Sequence, residues 1–105
     1  MKIINLGRGQ GKTTRLLYAS EWNDTPILCG TYQQKQYLMY RAKELRLNIP
    51  EPICVSEIIS NKATDNHVMD RDLLIDEAHW VLQNLLKSFG MSGEIKAITL
   101  TADER

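Results

Sequence analysis

Two clusters of residues in this chain carry types and spacings that could do chemistry. The run Gly7-Arg8-Gly9-Gln10-Gly11-Lys12-Thr13-Thr14 follows directly on the apolar stretch Ile3-Ile4-Asn5-Leu6, and Asp76-Glu77 closes the stretch Asp72-Leu73-Leu74-Ile75. Glycines let backbone N–H groups turn inward around an anion, where a side chain would otherwise stand. Lys12 brings a positive charge, and a helix starting at Lys12 or Thr13 adds the positive end of its dipole to the same place. The chemistry this implies is polyphosphate binding, with residues 7–14 as the nucleotide-binding loop, Lys12 on the β/γ-phosphates and the N–H groups of Gly9, Gly11 and Lys12 completing the cradle. The Thr13 hydroxyl and the Asp76 carboxylate are hard oxygen donors suited to Mg²⁺, with Asp76 acting through water. Glu77 would orient and deprotonate an attacking water, so Lys12 and Glu77 are the candidate catalytic residues and Mg·ATP the expected ligand.

The elements that must position these groups alternate along the chain. The pattern predicts strands at Lys2–Leu6, Pro26–Thr31, Pro52–Ser56, Asp72–Asp76 and Glu94–Thr101. Between them it predicts helices at Lys12–Glu21, Gln33–Leu47, Glu57–Asn61 and Trp80–Phe89, with a polar loop over Asn61–Asp70. Such alternation argues for a parallel sheet with helices on both faces. Leu38, Ala42 and Leu45 fall on one face of the second long helix, and Leu82, Leu86 and Phe89 on one face of the last, so both stripes are expected to be core. Asn23-Asp24 with Pro26 should end the first helix, and Gly90 should end the last.

Composition bounds the reading. At 105 residues the chain is expected to form one domain, 1–105, with a thin core. Lys plus Arg and Asp plus Glu number 13 each, so the formal charge is zero and no overall electrostatic footprint for nucleic acid exists. Cys29 and Cys54 each sit in a short apolar run and read as buried free thiols, which suits a reducing cytoplasm. No segment has the length and apolarity of a membrane span, and no leader pattern is visible, so a cytoplasmic location is expected. His67 reads as a solvated loop histidine. Tyr32, Tyr37 and Tyr40 with Lys35, Arg41 and Lys43 could form a base-stacking face, although the favoured reading packs the tyrosine stems on the sheet. Trp22 and Trp80 are likewise expected to pack.

With Leu6 where the strict G-x-x-x-x-G-K-[ST] spacing has glycine, the first motif is similar to the loops of superfamily-two helicases and phage terminase ATPases. Asp76-Glu77-Ala78-His79 resembles their D-E-A-H motif, and Thr101-Ala102-Asp103 resembles the helicase Ser-Ala-Thr motif, Asp103 departing from it. The resemblance is to the first lobe of these proteins. It implies an α/β, three-layer α/β/α P-loop NTPase (RecA-like) fold with a mostly parallel five-stranded sheet. It also implies His79 and Thr101 as residues coupling hydrolysis to movement.

The function this implies is slow Mg-dependent ATP hydrolysis by a small helicase- or terminase-like lobe, of a kind phages encode, acting with a nucleic-acid-processing machine. The catalytic arginine that such lobes receive from a second lobe would come from another copy of the chain, from a partner, or from Arg8 or Arg105. The alternative is a non-catalytic binding module or phage inhibitor that uses the same fold to engage a protein or nucleic acid. A small-molecule phosphotransferase is a third reading, disfavoured because no arginine-rich lid segment is visible.

Overall fold

The computed structural model describes residues 3–4, 11–60 and 71–99. Within them the chain runs α1 (Lys12–Asn23), β1 (Ile27–Cys29), α2 (Tyr32–Glu44), β2 (Ile53–Cys54), α3 (Val55–Ile59), β3 (Leu74–Ile75) and α4 (Ala78–Ser88). The strands form one parallel sheet in the order β2-β1-β3. Leu28 is the centre of the register, paired with Ile53 on one side and Ile75 on the other.

Local chemistry explains where the helices begin and end. α2 opens in a capping box: the Thr31 hydroxyl accepts the Gln34 N–H at 3.2 Å, and the Gln34 amide oxygen accepts the N–H groups of Gly30 and Thr31 at 2.9 and 3.2 Å. α1 stops at Asp24, which takes the left-handed conformation, and the buried Ser20 hydroxyl fastens the exit by donating to the Thr25 carbonyl at 2.6 Å. α4 stops at Gly90, also left-handed, beyond which the Met91 N–H reaches back to the Leu86 carbonyl at 3.2 Å.

Alternation along β1 builds two thin cores. Ile27 and Cys29 pack with Leu16, Leu17, Leu38, Ala42 and Cys54 beneath α1 and α2. Leu28 faces the other way and packs with Ile53, Val55 and Val81 beneath α3 and α4. Each of the larger side chains contributes about 1.5–3 kcal/mol by leaving water. Cys29 and Cys54 are buried free thiols, as their apolar runs predict, and burial, ahead of neighbouring charges, pushes the Cys29 thiol up to about 12.

The five-stranded RecA-like sheet implied by the resemblance is overturned: among the described residues the sheet has three strands, with four helices. Of the first expected strand, Ile3 and Ile4 are described and irregular, although Ile4 packs against the α1/α2 core. Residues 94–99 of the last expected strand are irregular too. The Gln83 side chain of α4 takes the polar groups there, donating to the Gly93 carbonyl at 2.9 Å and accepting the Ile95 N–H at 2.8 Å. Backbone groups that a ladder would use are thereby bonded elsewhere.

The stripe assigned to α4 is corrected as well. Val81 and Leu85 face the core, whereas Leu82 is exposed and Phe89 is 76% exposed. The helix is apolar on more than one side, so periodicity does not choose which stripe docks. On α2 the expectation holds: Leu38 and Ala42 are buried and Leu45 packs against them. Tyr32, Tyr37 and Tyr40 are all exposed, as are Trp22 and Trp80. Among the described residues, no helix is long and apolar enough to cross a membrane.

Candidate functional site

Gly11 immediately precedes α1 in the left-handed conformation, with φ near 80° and no atom of the described residues within 4 Å of where a Cβ would stand. The glycine therefore meets a backbone requirement, not a packing one. Among the described residues no side chain caps α1, no acidic residue lies in its first turn, and the Arg15 N–H makes the helix's first backbone bond, to Gly11 at 3.0 Å. The N–H groups of Lys12, Thr13 and Thr14 thus lie in the turn where a helix has no partners of its own, and where its dipole favours an anion.

Opposite this turn stands the carboxyl end of β3. The Asp76 N–H donates to the Leu28 carbonyl at 3.1 Å, which fixes the residue at the edge of the sheet where ligands bind in open parallel α/β folds. Thr13 lies close enough to the Asp76 carboxylate to favour its charged form. Burial pushes the carboxyl above the ordinary range, and the neighbouring Glu77 charge adds to this, while Lys12, the Thr13 hydroxyl and the Glu77 N–H oppose it. Glu77 is left-handed at φ 54°, an uncommon state for a residue with a side chain, and it does not cap α4. Its carboxylate meets the Lys12 ammonium instead, Nζ to Oε1 at 2.6 Å.

Lys12, Thr13, Asp76 and Glu77 therefore form one cluster. The Thr13 hydroxyl and the Asp76 carboxylate are adjacent hard oxygens, which suits Mg²⁺, an ion usually held by one or two protein groups with water and phosphate oxygens supplying the rest. Among the described residues, no group of three or more His, Cys, Asp and Glu gathers into a dedicated metal cage. Thr14 is half-buried in the same turn. His79, in the first turn of α4, is exposed, and its ring stacks edge-on against Trp80 at 5.7 Å. Gly7, Arg8, Gly9, Gln10, His67 and Thr101 lie outside the described residues.

Sequence reasoning missed a second charged cluster. Lys35, read as part of a basic outer face, is buried and donates to Glu57 at 2.8 Å and to Glu51 at 3.3 Å. The same Glu57 oxygen accepts the Cys54 N–H at 3.1 Å, so it caps α3 while it neutralises Lys35. Burial alone would lower the Lys35 ammonium, but its bonds to Glu57 and Glu51 outweigh that and leave it raised. Glu57 is lowered overall: burial pushes it up, and the bonds from Lys35 and from the Cys54 N–H overcome it. The available signal was the spacing Cys54-x-x-Glu57, with a glutamate three residues into a helix. With Lys35 internal and Arg41 paired to Glu44 at 2.9 Å, the basic character proposed for α2 is largely neutralised.

No family model, curated protein or solved structure matches this chain.

Proposed function

We propose that this protein binds a magnesium-complexed nucleoside triphosphate, ATP in the first instance, at the junction of α1 and β3 and hydrolyses it slowly. The observation that carries this reading is the meeting of Lys12 and Thr13 with Asp76 and Glu77 at the carboxyl edge of a parallel sheet. Lys12 and the free N–H groups of the first turn of α1 bind the phosphates. Thr13 and Asp76 supply oxygens to the cation, whose part is to neutralise charge on the transferring phosphoryl group. Glu77 accepts the proton of the attacking water. No arginine is assigned to the transition state, and because such a group accounts for roughly a thousandfold or more in rate, turnover by the isolated chain is slow. The arginine would come from a partner, from a second copy, or from Arg8 or Arg105 of the same chain, and the protein would act with a nucleic-acid-processing machine.

A second reading has an observation of its own. Tyr18 and Trp22 on α1 and Tyr37 and Tyr40 on α2 are each more than half exposed, with Trp22 at 88%. Residues of these types dominate protein interfaces, and they favour a non-catalytic binding module, such as an inhibitor of a larger machine.

Calorimetric titration of Mg·ATP into the wild type and Lys12→Ala separates the two. Saturable binding that depends on Lys12 supports the nucleotide site. Absence of binding by the wild type removes that reading and leaves the binding module.

A further inference from the structure

The pairing of Lys12 with Glu77 has a consequence for how a nucleotide enters the site, and the inference drawn from it rests on the nucleotide reading above. Each of these side chains is assigned to a different partner in the loaded protein, Lys12 to phosphate and Glu77 to water. In this structure they hold each other at 2.6 Å. A lysine in an ion pair offers less positive charge to an incoming anion, and a carboxylate held against an ammonium is not free to orient a water.

Three features mark the pair as a contact that can open. It is single: neither side chain has a second ion-pair partner among the described residues. It is accessible, with the side chains 34% and 29% exposed, so an anion can compete from solvent. It holds Glu77 away from the ordinary task of an acidic residue at a helix start, since α4 receives no side-chain cap and the Glu77 backbone sits at φ 54°. Strained backbone of this kind persists only where its surroundings enforce it, and the Lys12 contact is one such restraint.

We propose that the Lys12–Glu77 ion pair is a self-blocking resting contact, which polyphosphate opens by taking Lys12 and so frees Glu77 as a base only when a nucleotide is present. The contact lowers affinity in the resting protein and links the appearance of the base to occupancy of the site. Opening it costs what a partly exposed ion pair contributes.

The test is a double-mutant cycle in ATP affinity, measured by calorimetry without magnesium, over wild type, Glu77→Gln, Lys12→Ala and the double variant, each checked for folding by circular dichroism. Glu77→Gln keeps the size of the side chain and removes its charge. Affinity should rise roughly two- to fivefold over wild type, the range set by exposed ion pairs, and the gain should vanish in the Lys12→Ala background. Unchanged or weaker binding by Glu77→Gln, with the wild type still binding, overturns the resting contact and leaves the nucleotide site standing. An equal gain in both backgrounds also overturns it, since the effect would then be repulsion between Glu77 and phosphate. Absence of binding by both wild type and Glu77→Gln overturns the nucleotide reading and the contact with it. If Glu77→Gln does not fold, Glu77→Ala takes its place in the cycle with the same expectations.

Discussion

The Lys12–Glu77 and Lys35–Glu57 pairs are chemically alike, yet the fold treats them oppositely. Each joins a helix lysine to a glutamate at or near the start of a later helix. Lys35 is internal, has two carboxylates, and shares Glu57 with the N–H group that starts α3. Among the described residues Lys12 has one ion-pair partner, both members are about a third open to water, and the glutamate sits on strained backbone without capping its helix. The first pair satisfies buried groups and would be costly to open. The second can be exchanged for a ligand at small cost. Partner count, shared hydrogen bonds and exposure separate a structural ion pair from one available for chemistry.

Several substitutions would break or sharpen that contrast. The largest effect belongs to Glu77→Gln in a phosphate-release assay, where turnover should fall by roughly 10²–10⁴-fold as the general base is lost, while ATP remains bound. Retained turnover would remove Glu77 from the chemistry and make the two pairs functionally equivalent. Lys12→Ala should weaken Mg·ATP binding by at least about tenfold, the loss expected for one charge-assisted contact, yet thermal unfolding should shift little because the pair is partly open to water.

Lys35→Ala should do the reverse. It leaves Glu57 partly buried without its cation and should destabilise the fold by about 3 kcal/mol in urea denaturation, the low end for a broken buried pair because Glu57 keeps some contact with water. Nucleotide affinity should be unchanged. If Lys35→Ala is as mild as Lys12→Ala, the distinction between the pairs fails.

The pH dependence of stability follows from the directions of the shifts. Glu57 is lowered from 4.5 in the folded state, so its contribution is present above that value and is lost as pH falls through the folded-state value. Lys35 is raised from 10.5, so its contribution is present below that value and is lost as pH rises through the folded-state value. Denaturant midpoints of wild type and Glu57→Gln, followed from neutral pH into acid, should converge below 4.5.

The smallest effects concern two glycines that lead into helices, Gly11 before α1 and Gly30 before the Thr31 cap of α2. Gly11→Ala places a side chain at φ 80° and should cost about 1–2 kcal/mol through backbone strain. At Gly30 a Cβ would meet the Asn84 amide at 3.0 Å and the Gln34 amide oxygen at 3.1 Å, both ends of movable side chains, and Gly30→Ala should cost about 1 kcal/mol. Differential scanning calorimetry resolves both.

Much of the candidate site is legible before folding is considered. A glycine loop before a helix and two carboxylates after an apolar run name Gly11, Lys12, Thr13, Asp76 and Glu77, and the fold brings the last four together. Their resting arrangement is not legible, because a motif describes residues around a ligand and says nothing of which charges pair without one. Lys35 was misplaced for a related reason: a lysine on an apparently polar helix face reads as solvated until two glutamates from another part of the chain are found against it.

The sequence by itself determined the alternation of strands and helices over its middle and the ends of several helices. Thr31 with Gln34, Asp24, Gly90 and the apolar runs around Cys29 and Cys54 act within a few residues of one another, and each is present in the fold with the conformation its chemistry requires. Tertiary structure alone decided that three strands pair, that Gln83 takes the backbone groups near Ile95, that Val81 and Leu85 rather than Leu82 and Phe89 face the core, and that Lys12 rests on Glu77. These are contacts between distant segments competing for the same donors, charges and apolar surface, and such competition is settled only when the segments are in place.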